Sequence, residues 1–414
     1  MNLLKDMETK IENGSSATEL NCGKPRILYV VTRAERGGAQ THVLDLACSM
    51  RPDFEVSVAT GEEGFLTEAC RERAIPVHVL PHLQREVRPF VDARAFGEIW
   101  HLIRKLRPDL LHLHTFKAGF LARLAGRILG IPSVYTIHAW LYGTAAVSRL
   151  SSALSGPCER LAAYWCERII TVSRAGARVV RGHRIGSPSK LVTIHNGLPD
   201  CSDQARLSPT ETPVITMVAR FIEGKDHELL LRAFASIPKG PRLRLVGDGP
   251  TRASAESLAR ELGIQEQVDF LGNRDDVASQ LATSDVFVLA SQSEMLPISI
   301  LEAMRAGLPV IASDVGGVGE AVAHNENGFL VPSGSVSALA QALTDLTKDY
   351  ALRLRMGRAG RQRFTDQFLS SSMQERTRSI YRDVLRSPAR PQRKRNVPAA
   401  APASITPPAN WRTA

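Results

Sequence analysis

An α/β protein of two tandem domains, each a parallel sheet flanked by helices, is the fold class the sequence predicts, and three observations carry it. Short β-branched runs alternate with longer stretches of helical period from Arg26 onward, the pattern that repeated βα units around a parallel sheet leave in a sequence. The rhythm breaks once, in the polar segment LPDCSDQARLSPTETP at 198–213, and then restarts. A length of 414 residues also exceeds the ~250–300 at which single cores stop growing, so two cores are expected.

The elements follow in order. ILYVV (27–31), EVSVAT (55–60), VHVL (77–80), LLHLH (110–114), SVYTIH (133–138), RIITVS (168–173) and LVTIHN (191–196) read as seven strands, with segments such as AFGEIWHLIRKL and AGFLARLAGRIL as helices between them. After the break, VITMVA (214–219), LRLVG (243–247), VDFLG (268–272), VFVLA (286–290), PVIAS (309–313) and GFLV (328–331) read as six more strands, and helices fill 335–386. The expected division is an N-terminal tail at 1–24, a first Rossmann-like domain at 25–200, a linker at 201–213 and a second Rossmann-like domain at 214–366. A last helix at 367–386 has apolar spacing long enough to dock back on the first domain, and a basic Pro/Ala-rich tail occupies 387–414. Both tails are expected to be disordered, because their composition supports no core.

Composition excludes several classes. No apolar run approaches the ~18 residues needed to span a bilayer, and the acidic residues within the first 20 positions argue against a signal peptide, so the cytoplasm is expected. The cysteines Cys22, Cys48, Cys70, Cys158, Cys166 and Cys201 form no C-x-x-C pair, and neither a zinc finger nor a disulfide framework is indicated. Of the net charge of +10, residues 25–200 carry 23 Lys/Arg against 15 Asp/Glu, whereas 205–385 carry 20 against 22. A basic first half points to an anionic partner such as a membrane surface at the inner face of the plasma membrane, a phosphorylated acceptor or nucleic acid, with solvated charge and no partner as the equal alternative. Nucleic acid is not expected, because no aromatic residues interleave with the basic ones.

Glycine-bearing turns follow several strands, and in doubly wound folds ligands bind at those carboxyl ends. No G-x-G-x-x-G follows a strand, since Gly247-Asp248-Gly249 continues to Arg252, and no Walker lysine motif occurs. The most specific stretch is SQSEMLPISILEAMRAGLPVIAS (291–313). A helix starting near Pro297 leaves Glu294 in the preceding loop and frees backbone N–H groups in the stretch Leu296 to Ser299, so that Leu296, Pro297, Ile298 and Ser299 are expected to line a site for a diphosphate. Glu302 then lies ~7.5 Å further along the axis. That offset suits two carboxylates reading hydroxyls on either side of a diphosphate, although as a bare spacing it equally fits two glutamates favouring a helix start and a surface.

These residues resemble the retaining GT-B glycosyltransferases of family four. The resemblance spans 26–386 and rests on E-x7-E with EAM-x-AG-x-PV, the downstream GG-x-x-E turn, the glycine loop RAERGGAQTH, the strand end YTIHAW, the turn IHNGLP, and the R-x4-K loop in ARFIEGKDHELLLRAF. It implies two facing Rossmann-like domains with a cleft between them. Residue by residue, it implies that Glu294 binds the donor sugar, Glu302 the ribose, and Arg220 with Lys225 the diphosphate. Gly37 and Gly38 would let backbone approach donor and acceptor, and His138 would face the reacting sugar. The implied activity is retaining transfer of a hexose from a UDP- or GDP-linked donor to a glycan or lipid-linked acceptor in cell-surface or exopolysaccharide synthesis. No cofactor and no metal are expected, since Asp248 lacks the second carboxylate of a D-x-D motif.

The sequence departs from the family pattern at Met295, where a glycine is usual, at Gln40, where a glutamate is common, and at Asp226, where a glycine is frequent. Met295 raises the alternative of a catalytically degenerate sugar-nucleotide-binding partner. A sugar-nucleotide epimerase of the same architecture is a second alternative, and a glycan phosphorylase is disfavoured because no pyridoxal-binding lysine region is found.

Overall fold

The computed structural model describes residues 23–139, 149–205 and 207–387. The tails expected to be disordered fall, except for Gly23, Lys24 and Ser387, outside the described residues.

In the first half, each strand is followed by a helix until the seventh. The order is β1 (Arg26–Val31), α1 (Gly38–Met50), β2 (Glu55–Thr60), α2 (Phe65–Glu72), β3 (Val77–Val79), α3 (Pro89–Leu106) and β4 (Leu110–His114). Then come α4 (Phe116–Leu129), β5 (Ser133–Ile137), α5 (Arg149–Ala163), β6 (Arg168–Thr171), α6 (Arg174–Gly182) and β7 (Leu191–Thr193). The second half runs β8 (Val214–Val218), α7 (His227–Ala235), β9 (Arg242–Val246), α8 (Arg252–Glu261), β10 (Val268–Gly272), α9 (Val277–Ala282) and β11 (Val286–Leu289). It continues with α10 (Ile298–Ala306), β12 (Val310–Ser313), α11 (Val318–Ala321), β13 (Gly328–Val331), α12 (Val336–Lys348), α13 (Tyr350–Gln367) and α14 (Ser370–Arg386).

Two sheets result, ordered β3-β2-β1-β4-β5-β6-β7 and β10-β9-β8-β11-β12-β13, and every pairing is parallel. Helices on both faces bury the central strands completely, which is why β4, β5, β11 and β12 are buried along their whole length. The two α/β domains expected from the rhythm are therefore present. The seventh strand is shorter than its apolar run: β7 ends at Thr193, so His195 lies beyond a strand rather than at its end, and His112 lies inside β4.

In each sheet the strand order reverses once, between β1 and β4 and between β8 and β11. A crevice opens at such a switch point beyond the carboxyl ends of the strands. The loop after β1 holds Gly37 and Gly38, β4 ends on His114, the loop after β8 holds Arg220 and Lys225, and the loop after β11 holds Glu294. Topology alone thus brings most of the chemically distinctive residues to the two crevices.

The chain crosses between the domains twice. Leu198 pairs with Leu369 as an isolated bridge, and α14 then returns to the first domain, where the Tyr381 hydroxyl lies 3.0 Å from that of Tyr29 and Arg378 Nε lies 2.9 Å from Asp53. None of the five described cysteines forms a disulfide, and no described helix is long and apolar enough to cross a membrane.

Candidate active site

On the first domain, the glycine loop leads from β1 into α1. Neither glycine is left-handed; Gly37 is fully extended at φ −176°, so any residue could adopt its backbone, and the requirement is for space. A Cβ on Gly37 would stand 2.8 Å from Gln40 Oε1. Gln40 is buried and its Nε2 donates to the Arg33 carbonyl at 2.9 Å, so this residue braces the loop from below. A Cβ on Gly38 would meet Ile298 Cδ1 at 3.6 Å, which places the glycine loop directly against the start of α10 in the other domain.

His138 follows β5 and stacks on His114, its Nε2 lying 2.8 Å from His114 Nδ1. His42 from α1 closes edge-on at 4.7 Å between ring centroids. Burial holds His112, His114 and His138 well below the ordinary imidazole value. It lowers His42 to about 4, against a smaller opposing effect of the neighbouring Asn196. His138 therefore meets any ligand as a neutral imidazole, donor on one nitrogen and acceptor on the other.

On the second domain, the loop after β8 holds both expected cations, and each already has a carboxylate. Arg220 Nη1 bonds Glu35 of the first domain at 2.8 Å, and Lys225 pairs with Glu294. Asp226 sits at φ 54° and caps α7, its Oδ1 accepting from Leu229 N at 3.2 Å. A left-handed position suits glycine, and aspartate is among the few other residues that tolerate it; the departure from the family pattern is thus a gain of a helix cap.

Glu294 is held by the double-glycine turn that follows β12. Gly316 has φ +54° and a Cβ there would lie 1.7 Å from the Glu294 carbonyl oxygen; a Cβ on Gly317 would lie 1.7 Å from that of Met295. Gly317 N donates to Glu294 O at 3.2 Å. Met295 is buried and turns to the first domain: a Cβ on Gly176 in α6 would stand 2.2 Å from its Cε. The bulk of Met295 is thus taken up at the domain interface, where Gly176 leaves room for it.

Pro297 is the N-cap of α10 with φ −69° and ψ 128°, one position earlier than the first helical residue. The loop is fixed across the interface by Asn196 Nδ2, which donates to the Leu296 carbonyl at 2.9 Å. Because proline has no N–H and Leu296 precedes the helix, the open helical donors are those of Ile298, Ser299 and Ile300, with no side chain capping them. Glu302 is the fifth residue of α10. Burial pushes its carboxyl up to about 7, against the smaller opposing effects of Arg305 and Arg36.

Four further residues at the interface carried no assigned role in the sequence. Glu320, the acid of the GG-x-x-E turn, accepts from Arg174 N and Ala175 N at the start of α6 at 2.8 and 2.7 Å, and its Oε2 lies 2.8 Å from His195 Nε2. Arg36 pairs with Asp275 across the cleft. Glu35 bridges Arg33 at 3.0 Å and Arg220. The motif marks Glu320; nothing in spacing marks Glu35 or Asp275, whose partners lie 185 and 239 residues away.

A cavity of about 330 Å³ borders the glycine loop, lined by Thr32, Arg33, Glu62, Leu83 and Arg85 among others. A larger one, about 610 Å³, lies between β3 and α3, at Val77, Glu98 and His101, outside the residues gathered above.

Residues 201–363 match the family Glycosyl transferases group 1, and residues 36–200 match Glycosyltransferase Family 4. Among curated relatives, an N-acetyl-alpha-D-glucosaminyl L-malate synthase of Bacillus anthracis is 30% identical over 295 residues, covering 67% of this chain and 75% of that protein. A UDP-Gal:alpha-D-GlcNAc-diphosphoundecaprenol alpha-1,3-galactosyltransferase of Escherichia coli is 25% identical, covering 80% and 90%. Among solved structures, HepE of Anabaena in complex with UDP and glucose superposes with a TM-score of 0.76 at 22% identity, covering 87% of this chain and 100% of that one.

Proposed function

The chain belongs to the group 1, family four glycosyltransferases of GT-B fold, and from that premise we propose that it transfers a hexose from a UDP- or GDP-linked donor to a glycan or lipid-linked acceptor, with retention at the anomeric carbon. The observation that carries this reading is the meeting of two crevices: the glycine loop lies against the uncapped start of α10, beside Glu294 and Lys225. A group with a diphosphate in its middle and hydroxyls at both ends finds donors, cations and carboxylates in that order.

Within this reading the second domain, 214–366, binds the donor and the first, 25–200, the acceptor. Ile298 and Ser299 N–H groups, together with Arg220 and Lys225, receive the diphosphate. Glu302 accepts from ribose hydroxyls, Glu294 from hydroxyls of the transferred sugar, and neutral His138 hydrogen-bonds that sugar from the first domain. As the bond between the anomeric carbon and the β-phosphate oxygen breaks, its electron pair passes to the diphosphate, where Arg220 and Lys225 stabilise the growing charge without a metal. The acceptor oxygen attacks from the same face, and its proton passes to the departing phosphate. Retention by double displacement would instead need a carboxylate nucleophile behind the anomeric carbon, a role that this reading assigns to no residue.

The Escherichia coli galactosyltransferase, whose acceptor is GlcNAc-diphosphoundecaprenol, supports a lipid-diphosphate acceptor. A degenerate partner protein is not favoured, because its motive, Met295, is packed against Gly176.

A thermal-shift screen of nucleotide-sugars tests the proposal. A true donor at 100 times its dissociation constant stabilises the protein by about 2.7 kcal/mol, and transfer with that donor should give a product of unchanged anomeric configuration by NMR. An inverted product, or a donor hydrolysed only with added divalent metal, refutes the mechanism.

A further inference from the structure

The first domain gathers three histidines at the carboxyl ends of β4 and β5 and the start of α1: His42, His114 and His138. One ring nitrogen from each lies within 4.8 Å of the other two, and among the described residues this is the group arranged to hold an ion. From this geometry we propose that His42, His114 and His138 form a binding site for one borderline divalent transition-metal ion of the Zn²⁺ class, separate from the donor diphosphate.

Three observations carry it. First, His114 is fully buried, and its Nε2 has no hydrogen-bond partner. A buried imidazole nitrogen without a partner is costly, and a metal ion satisfies it where no protein group does. Second, the neighbouring His112 is excluded, because Nδ1 meets the Tyr381 hydroxyl and Nε2 the Thr136 hydroxyl; the cluster therefore holds three available imidazoles rather than four. Third, Asn196 stands beside His42 with a buried Oδ1 that lacks a partner, its Nδ2 being committed to Leu296 O. Metal-bound histidines characteristically donate their second N–H to such an acceptor.

Three neutral nitrogen ligands with no carboxylate among them select Zn²⁺, Co²⁺, Ni²⁺ or Cu²⁺ over Mg²⁺ or Ca²⁺. At metal–nitrogen distances of ~2.0–2.1 Å, tetrahedral ligands lie ~3.3 Å apart, so the widest pair must draw together by side-chain rotation. In doing so His138 gives up its bond to His114. His138 is the most exposed of the three. Metal and the sugar contact proposed for His138 then compete for one ring, so occupancy of this site slows transfer; that consequence alone rests on the functional reading above.

The test uses the untagged full chain, stripped by chelator and titrated with Co²⁺ at pH 7.5. One equivalent should produce the visible absorption of four-coordinate nitrogen-ligated cobalt, displaced stoichiometrically by Zn²⁺. His114→Gln and His42→Gln should each weaken binding at least 100-fold, while His101→Gln, exposed on α3 and outside the cluster, leaves it unchanged. Wild-type protein that gives no such band, or binds cobalt equally well after either cluster substitution, overturns the site. The wild-type titration decides the matter even where a variant fails to fold, and it needs no donor or acceptor, so its failure leaves the transferase reading standing.

Discussion

Glu302→Gln separates stability from donor binding in a way that depends on pH. Burial raises the Glu302 carboxyl from the usual 4.5 to about 7. The folded protein therefore holds this proton more tightly than the unfolded chain does. The associated stability is fully present below about pH 4.5 and is lost as pH rises through about 7. At about 1.4 kcal/mol for each tenfold change in proton affinity, the burial of the charged form at pH 8 costs about 3 kcal/mol as an upper limit. A neutral isostere removes that cost. Glu302→Gln should thus melt higher than wild type by up to ~5–10 °C at pH 8, and with little difference at pH 5. Under the proposed role the same change removes a charged acceptor of ribose hydroxyls, so the donor KM should rise ~10–100-fold with kcat nearly unchanged. Wild-type donor KM should fall as pH rises from 6 to 8, and that of the variant should stay flat. Melting curves from pH 5 to 9 together with donor kinetics decide it; wild-type and variant curves that run parallel across this range refute the burial argument.

The remaining expectations follow from the cleft. Lys225→Ala should lower turnover far more than it disturbs melting, and near-normal turnover at an unchanged Tm would remove Lys225 from the diphosphate. Glu35→Gln releases Arg220 from a partly exposed pair worth ~0.2–1 kcal/mol, so the donor KM should fall up to ~5-fold; an increase would mean that Glu35 assists binding. Gly316→Ala forces a Cβ to 1.7 Å from the Glu294 carbonyl and should lower kcat at least 100-fold, whereas Gly97→Ala, with nothing within 4 Å, serves as the control that leaves kcat unchanged. Peripheral membrane association is expected through the basic first domain, where Ile128, Leu161 and Tyr164 are exposed near Arg127 and Arg160. Co-sedimentation with anionic liposomes should weaken as salt rises, and its absence at low salt would leave a soluble acceptor.

What the sequence made legible was what short-range chemistry encodes. The βα alternation located every strand to within a few residues, because a parallel strand covered on both faces must be apolar throughout. The Pro297 region was legible because a helix start has a local signature. The partners of these residues were not. Arg220 meets Glu35, Arg36 meets Asp275, and Glu320 caps α6 only because two domains face each other; no periodicity records a contact across a cleft. Met295 was misjudged for the same reason, its neighbour being Gly176, 119 positions earlier in the chain. Asp226 was legible in type, since aspartate caps helices, but its left-handed backbone required the structure. The bond between the rings of His114 and His138, which joins two neighbouring strand ends, likewise required the structure.

The arrangement of charge across the cleft has a further consequence for the proposed reaction. With no donor bound, Lys225 and Arg220 are not idle: one holds Glu294 and the other holds Glu35. A diphosphate arriving at these cations must exchange a carboxylate for a phosphate, so binding gains only the difference between the two anions. That difference grows as the glycosidic bond breaks, because the phosphate charge increases while the carboxylate charge does not. Such an exchange contributes little to ground-state affinity and more to the transition state, the partition that raises kcat rather than lowering KM. It also frees Glu294 to meet the sugar and expels Glu35, in the loop bearing Gly37 and Gly38, from its contact with the second domain. Diphosphate entry, release of the sugar-binding carboxylate and movement of the glycine loop are thereby joined in one exchange. The linkage is testable in the double variant Glu35→Gln, Lys225→Ala: if the exchange couples them, the loss in kcat/KM should differ from the product of the single effects, and strict additivity would show that the two cations act independently.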